Sequence, residues 1–300
     1  MSAVNPLLPV NDPDPLLRTI GRTPLVALRS EPRVLLKLEG LNLTGSVKVR
    51  PAYRMIRAAE LDGRLAKNKA ILDSTSGNTG IAYAFIAARR GYCVKLYMPA
   101  SASAERKRLL TAYGAGLVLT DPSEGSDGAF FAMEKELHAH PDRYFCPDQY
   151  GNPENPQAHY ETTGPEVFEQ TNGTITHFVA GLGTSGTMMG VGRRLRELKP
   201  DIRLVAVQPD ESFHGLEGLK HMATSTHVPG LYDKKFPDKF VGVSTEDAVA
   251  TAKRMMREEG LYIGISAGAA VCAALQVAGK VTEGMIVAIC PDGGDRYSWD

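Results

Sequence analysis

Short runs of β-branched and aliphatic residues alternate with helical-period stretches along the whole chain, and this alternation restricts the possible fold more than any other feature. The pattern predicts strands over 34–38, 70–73, 94–98, 116–120, 176–180, 203–208 and 285–290. Helices are predicted over 47–62, 79–90, 104–113, 127–139, 161–170, 187–198, 245–259 and 267–278. Strand–helix repetition of this kind joins parallel strands through crossover helices, so an α/β fold on parallel sheet follows. A length of 300 residues suits about two domains. Two stretches, 147–157 and 209–243, break the alternation, and long loops in compact domains are commonly functional.

Charge and cysteine usage narrow the function. Lys plus Arg and Asp plus Glu number 34 each, so no net field recruits nucleic acid or an anionic membrane. The longest apolar run, 81–88, falls far short of the roughly 20 residues that cross a bilayer. The N-terminus has neither the basic nor the apolar segment of a secretion signal, and reads as an arm over the surface. Cys93, Cys146, Cys272 and Cys290 form no C-x-x-C pair and no metal-like spacing, which predicts reduced thiols in a cytoplasmic protein and no metal site.

Three loops carry the chemistry. Gly181, Gly183 and Gly186 satisfy G-x-G-x-x-G between a strand and a helix, and Asp210 ends the next strand. That pattern admits a dinucleotide reading and hence a nicotinamide-dependent dehydrogenase. The hydroxyls of Thr184, Ser185 and Thr187 suit an enclosed monophosphate better, since a pyrophosphate needs bare backbone. A capped turn with no ligand is the plain alternative. The loop Ser74-Thr75-Ser76-Gly77-Asn78-Thr79-Gly80 also precedes a helix and can bind a carboxylate. In the third, Asn42 to Lys48, a lysine in the first turn of a helix faces the positive dipole end, which favours a neutral, nucleophilic amine.

With these loops goes an ordered series of motifs: K-L-E-G-x-N-x-x-G-S-V-K over 37–48, T-S-G-N-T-G over 75–80, D-Q-Y over 148–150 and H-Y-x-T-T-G-P-E over 159–166. It continues with T-H-F-V over 176–179, G-T-S-G-T over 183–187, G-I-S-A-G over 264–268 and G-D-R-Y over 294–297. Nearly the whole chain thereby resembles the fold type II pyridoxal-phosphate enzymes, and within them the cysteine synthases, most of all the B isoform. The resemblance implies two Rossmann-like α/β domains with pyridoxal 5'-phosphate in the cleft between them. Residues 39–142 would form the small substrate-loop domain, and 1–38 with 143–300 the large cofactor-phosphate domain.

Residue by residue, the resemblance implies that Lys48 forms the internal aldimine and that Asn78 bonds the phenolic oxygen of the ring. Gly183, Thr184, Ser185, Gly186 and Thr187 would cradle the phosphate, and Ser266 would meet the pyridine nitrogen. Thr75, Ser76, Thr79 and Gln149 would bind the substrate carboxylate, with the loop closing on it. A hydroxyl at the pyridine nitrogen stabilises a pyridinium less than a carboxylate would, so a weak electron sink is expected. The implied reaction is β-replacement: an O-activated L-serine, O-acetylserine first, loses its leaving group to give an aminoacrylate, which a sulfur donor such as sulfide converts to L-cysteine.

A homodimer is expected from the family, with serine acetyltransferase as a possible partner. Val49 stands where the family usually has Asp, and Leu43 where it has Pro, which puts full activity in question. Lys220 lies where phosphoserine-using relatives carry Arg, so O-phosphoserine is an alternative substrate. Other β-replacement enzymes, a serine or threonine dehydratase, and a regulatory cofactor-binding partner of the acetyltransferase are the remaining readings.

Overall fold

The structure, a computed structural model, describes residues 5–75 and 77–299. Its strands are β1 (Leu25–Ala27), β2 (Val34–Leu38), β3 (Ala70–Ser74), β4 (Val94–Pro99), β5 (Gly116–Thr120), β6 (Tyr144–Phe145), β7 (Ile175–Gly181), β8 (Arg203–Pro209), β9 (Lys239–Val243) and β10 (Met285–Cys290). Its α-helices are α1 (Val49–Leu61), α2 (Asn78–Arg90), α3 (Ala104–Ala112), α4 (Gly125–Ala139), α5 (Glu154–Glu161), α6 (Thr163–Gln170), α7 (Gly186–Leu198), α8 (Thr245–Arg254) and α9 (Ile265–Ala278). Among the described residues, no helix is long and apolar enough to cross a membrane.

The chain divides into two compact units, one of residues up to Arg18 with Lys48–Glu154, the other of Thr19–Val47 with Asn155–Asp300. The first holds a four-stranded sheet in the order β5-β4-β3-β6, parallel throughout. Leu72 and Tyr97 pack there against Ala129 and Met133 of α4. The N-terminal arm is tied to the same unit: Asp12 accepts from Tyr53 Oη at 2.8 Å and pairs with Arg90, and Asp14 pairs with Arg89.

The second unit holds a six-stranded sheet in the order β1-β2-β10-β7-β8-β9. All neighbours are parallel except β1, which runs antiparallel to β2. The sheet is covered on both faces, so its central strands β7, β8 and β10 hold continuous buried apolar runs over 178–180, 204–207 and 286–290 rather than alternating. Val34, Val179, Val205 and Ile286 meet α9, while Phe178, Leu204 and Val287 pack with Met188 and Val191 of α7. Each such side chain contributes roughly 1.5–3 kcal/mol by leaving water.

Several elements depart from the sequence-based expectation. β1 and β6 were not predicted, because two or three residues carry too little periodicity, and β9 was not, because it closes the 209–243 stretch expected to be irregular. The helix predicted over 161–170 is α6, and it is preceded by an unpredicted helix, α5, that begins inside the region expected to be irregular. Asn152 Oδ1 accepts from Glu154 N at 3.0 Å and starts α5, while Pro156 falls in the first turn, where a missing N–H costs nothing. The helix predicted to run to 259 finishes as a π-turn over Met255–Glu259.

Two buried ionisable groups shape stability. Lys37 of β2 is fully buried and donates to Thr23 O at 2.7 Å, Glu166 Oε2 at 2.7 Å and Gln170 Oε1 at 2.8 Å, which engages all three ammonium protons. Glu166→Ala is expected to lower stability by about 3–5 kcal/mol, because a buried cation loses its counter-charge. Lys37→Met, which removes the charge itself, should cost less in the same urea titration. Asp73 is the second group: burial first, and the charge of Asp148 behind it, push its carboxyl up to about 7, against the bond from Ser74 N at 2.7 Å. Below the ordinary carboxylate value of 3.8 the proton is bound in both states, whereas between that value and about 7 only the folded chain keeps it. Stability therefore falls as pH rises through this window and levels off above it. Asp73→Asn should remove that slope, worth roughly 4 kcal/mol, in urea unfolding measured at stepped pH.

Candidate active site

Strand order reverses once in each sheet. In the first unit β3 lies between β4 and β6, and in the second β7 lies between β8 and β10. The loops that leave β3 and β7 at their carboxyl ends therefore sit at topological switch points, where open α/β sheets bind ligands. These are the loops singled out by their hydroxyls, residues 75–80 and 181–187.

The β7 loop is built as an anion cradle. Ser185 caps α7 in the left-handed conformation, with φ 68°, which serine adopts only under constraint. Its Oγ is buried without a hydrogen-bond partner among the described residues. A buried hydroxyl in that state costs free energy until an acceptor arrives. Thr184 Oγ1 accepts from Asn155 Nδ2 at 3.0 Å, which fixes the second hydroxyl. The third, Thr187 Oγ1, lies 3.3 Å from His159 Nε2, and His159 Nδ1 lies 2.9 Å from Thr163 Oγ1. At Gly183 a Cβ would come within 2.2 Å of Gly218 O, and Lys220 N donates to Leu182 O at 2.8 Å. The 218–220 segment thus closes one side of the loop and leaves room for backbone alone.

Ser266 stands in the first turn of α9 and is buried. Because α9 runs antiparallel to the strands it joins, its N-terminus shares the carboxyl edge of the sheet with that of α7. Its Oγ lies 3.5 Å from Tyr297 Oη, which donates to Asp292 Oδ2 at 2.9 Å.

In the first unit, Thr75 N donates to Tyr97 O at 3.1 Å, and Thr75 Oγ1 accepts from Gly77 N at 3.3 Å. Asn78 opens α2, and Thr79 Oγ1 donates to Gln149 Oε1 at 2.8 Å in a buried contact. That bond brings together two proposed carboxylate ligands 70 positions apart. Gln149 follows Asp148, which holds a positive φ of 51°. Ser76, expected in the same loop, lies outside the described residues.

Lys48, predicted within the first turn of a helix over 47–62, is instead the N-cap of α1, one position before its first residue, and its carbonyl accepts from Ala52 N at 3.1 Å. The chain entering it is held within the second unit, where Val47 N donates to Pro291 O at 2.8 Å and Ser46 bridges Asp292. Val49, the departure from the family pattern, is fully buried. An apolar side chain there avoids the desolvation a carboxylate would meet. Asn155, His159, Asp292 and Tyr297 were missed as site residues. His159 and Tyr297 fall inside quoted motifs that assigned them no role, and Asn155 is 29 positions from its partner Thr184.

A family model described as "Pyridoxal-phosphate dependent enzyme" matches residues 16–292. A cysteine synthase of Aquifex aeolicus is 44% identical over 294 residues, covering 94% of this chain and 90% of that protein. Cysteine synthase B of Escherichia coli K12 is 42% identical over 288 residues, covering 94% and 93%. The crystal structure of cysteine synthase from Entamoeba histolytica superposes with a TM-score of 0.89 at 38% identity, covering 94% of this chain and 88% of that one. The enclosed phosphate cradle with its unsatisfied serine fits the cofactor these matches imply. The chain belongs to the pyridoxal-phosphate-dependent enzyme family, in its fold type II branch.

Proposed function

We propose that this enzyme is a cysteine synthase, converting an O-activated L-serine, with O-acetylserine as first choice, and a sulfur donor to L-cysteine by β-replacement. The observation that carries the reading is the pair of hydroxyl-lined helix N-termini at the two switch points, one suited to a phosphate and one to an amino-acid carboxylate. Relatives at more than 40% identity are themselves named cysteine synthases.

Pyridoxal phosphate supplies an electron sink that makes the substrate's Cα proton acidic. The chain's own residues do the rest. Thr184, Ser185, Thr187 and the free N–H groups of α7 hold the phosphate, with Gly183 and Gly186 giving the backbone its approach. Asn78 bonds the ring's phenolic oxygen, and Ser266 meets its nitrogen. Thr75, Ser76, Thr79 and Gln149 take the substrate carboxylate. Lys48 anchors the cofactor through its amine and moves the proton at Cα. Loss of that proton lets the activated oxygen depart from Cβ with its electron pair; the sulfur nucleophile would then add at Cβ, and Lys48 would return the proton to Cα.

In this reading the unit carrying the 75–80 loop is the substrate domain and the unit carrying the 183–187 loop is the cofactor-phosphate domain. A cytoplasmic setting belongs to the same proposal and is supported by four free cysteines. A homodimer and a contact with serine acetyltransferase rest on the family likeness. O-phosphoserine is the second reading, favoured by the Lys220 segment lying against the phosphate loop. Under it, Lys220→Ala should depress phosphoserine turnover and spare O-acetylserine.

The test is cysteine formation from O-acetylserine and sulfide by the holoenzyme, with its visible absorbance followed in parallel. Lys48→Ala should bind cofactor without the native band and lose at least ~10²–10⁴-fold in rate. Unchanged turnover in this variant would reject its role, and a band indifferent to O-acetylserine would reject the substrate. Gly183→Ala should weaken cofactor retention, measured by dialysis and absorbance, because its methyl group would collide with Gly218 O.

A further inference from the structure

The Ser266–Tyr297–Asp292 contact has a direction that follows from counting protons. Tyr297 has one phenolic proton and directs it to Asp292 Oδ2 at 2.9 Å. Burial, with the charge of Asp292 next, pushes the Tyr297 phenol far up, so that proton stays. Toward Ser266, 3.5 Å away, the Tyr297 oxygen can then only accept. Ser266 also has a single proton. Given to Tyr297, it leaves the serine lone pairs for an N–H donor. Given to a neutral ring nitrogen, it leaves two oxygens facing each other with no hydrogen between them.

The arrangement is held from several sides. Asp292 is 4% exposed, and a Cβ at Gly264 would fall 2.2 Å from its Oδ1 and 2.5 Å from Tyr297 Cε2. Only glycine at the α9 N-cap therefore lets the helix approach the pair. Gly264 N donates to Asp292 O at 3.2 Å, and the Tyr297 ring meets Trp299 edge-on at 6.2 Å. Glu217 also bears on Tyr297, and Glu39 joins Asp292 in acting on Cys290. Arg296 donates to Thr44 O at 2.6 Å and lies 3.5 Å from Asp295.

We propose that Asp292 and Tyr297 are positioning residues for Ser266: they turn its hydroxyl proton away from the cofactor, and so hold the pyridine nitrogen protonated to a greater degree than a serine alone would. This rests on the reading that places Ser266 at that nitrogen. A carboxylate two hydroxyls away thus does part of what a directly bonded carboxylate would do, and the electron sink is deeper than an isolated serine implies.

The experiment uses holoenzyme loaded with pyridoxal phosphate carrying ¹⁵N in the ring, and follows the ring-nitrogen resonance against pH. Tyr297→Phe, which keeps the ring against Trp299, and Asp292→Asn should each lower the protonation midpoint by about one pH unit, a tenfold change. Neither should move it further once Ser266→Ala is present, whereas a purely structural effect would still act there. If Ser266→Ala lowers the midpoint and the other two leave it in place, the relay is overturned while Ser266 keeps its role. If Ser266→Ala itself has no effect, both the relay and the placement of Ser266 fall.

Discussion

Parallel strand pairing is the constraint from which the site follows. A parallel neighbour can be reached only by a crossover, so every helix that bridges two strands begins at the sheet's carboxyl edge. Its first N–H groups have no partner within the helix and face that edge with the positive end of the dipole. At a switch point successive crossovers leave to opposite faces, and the loop there is not covered by the next connection. β3 and β7 are the strands where this occurs, and each is followed by a loop of hydroxyl-bearing residues. Anion binding is thus a consequence of topology, with side chains setting which anion fits.

Polar burial in this protein separates into two kinds. Lys37 is satisfied on every side, with carbonyl, carboxylate and amide oxygens at hydrogen-bond distance, and serves to hold β2 against α6. Ser185 is the reverse case, a buried hydroxyl at a left-handed residue with no hydrogen-bond partner among the described residues. The first arrangement is complete by itself and the second is completed by a ligand. Asp292 lies between these cases, buried and accepting from Tyr297, whose oxygen lies 3.5 Å from the serine at the start of α9.

The long strands and helices were legible because strand–helix crossovers repeat the same pattern, and because an apolar run such as 285–290 is what a strand buried on both faces requires. The loops over 75–80 and 181–187 were legible as helix-opening turns through glycine and hydroxyl spacing, since both are built from residues adjacent in sequence. β1, β6 and β9 were not, because their pairing partners, more than their own residues, make them strands. The same holds for Asn155, whose value lies in reaching Thr184, whereas Gln149 was singled out through its D-Q-Y motif and only its bond to Thr79 waited for the fold.

The amino-acid sequence by itself determined the α/β class, the two helix-opening loops and the place of a lysine at the head of α1, because each is written in local spacing. Only the tertiary structure decided that β1 pairs antiparallel, that Ser185 Oγ is left without a partner among the described residues, and that Tyr297 spends its one proton on Asp292. These depend on which atoms from distant positions meet, and on how many donors and acceptors remain when they do; neither can be counted until the chain has folded.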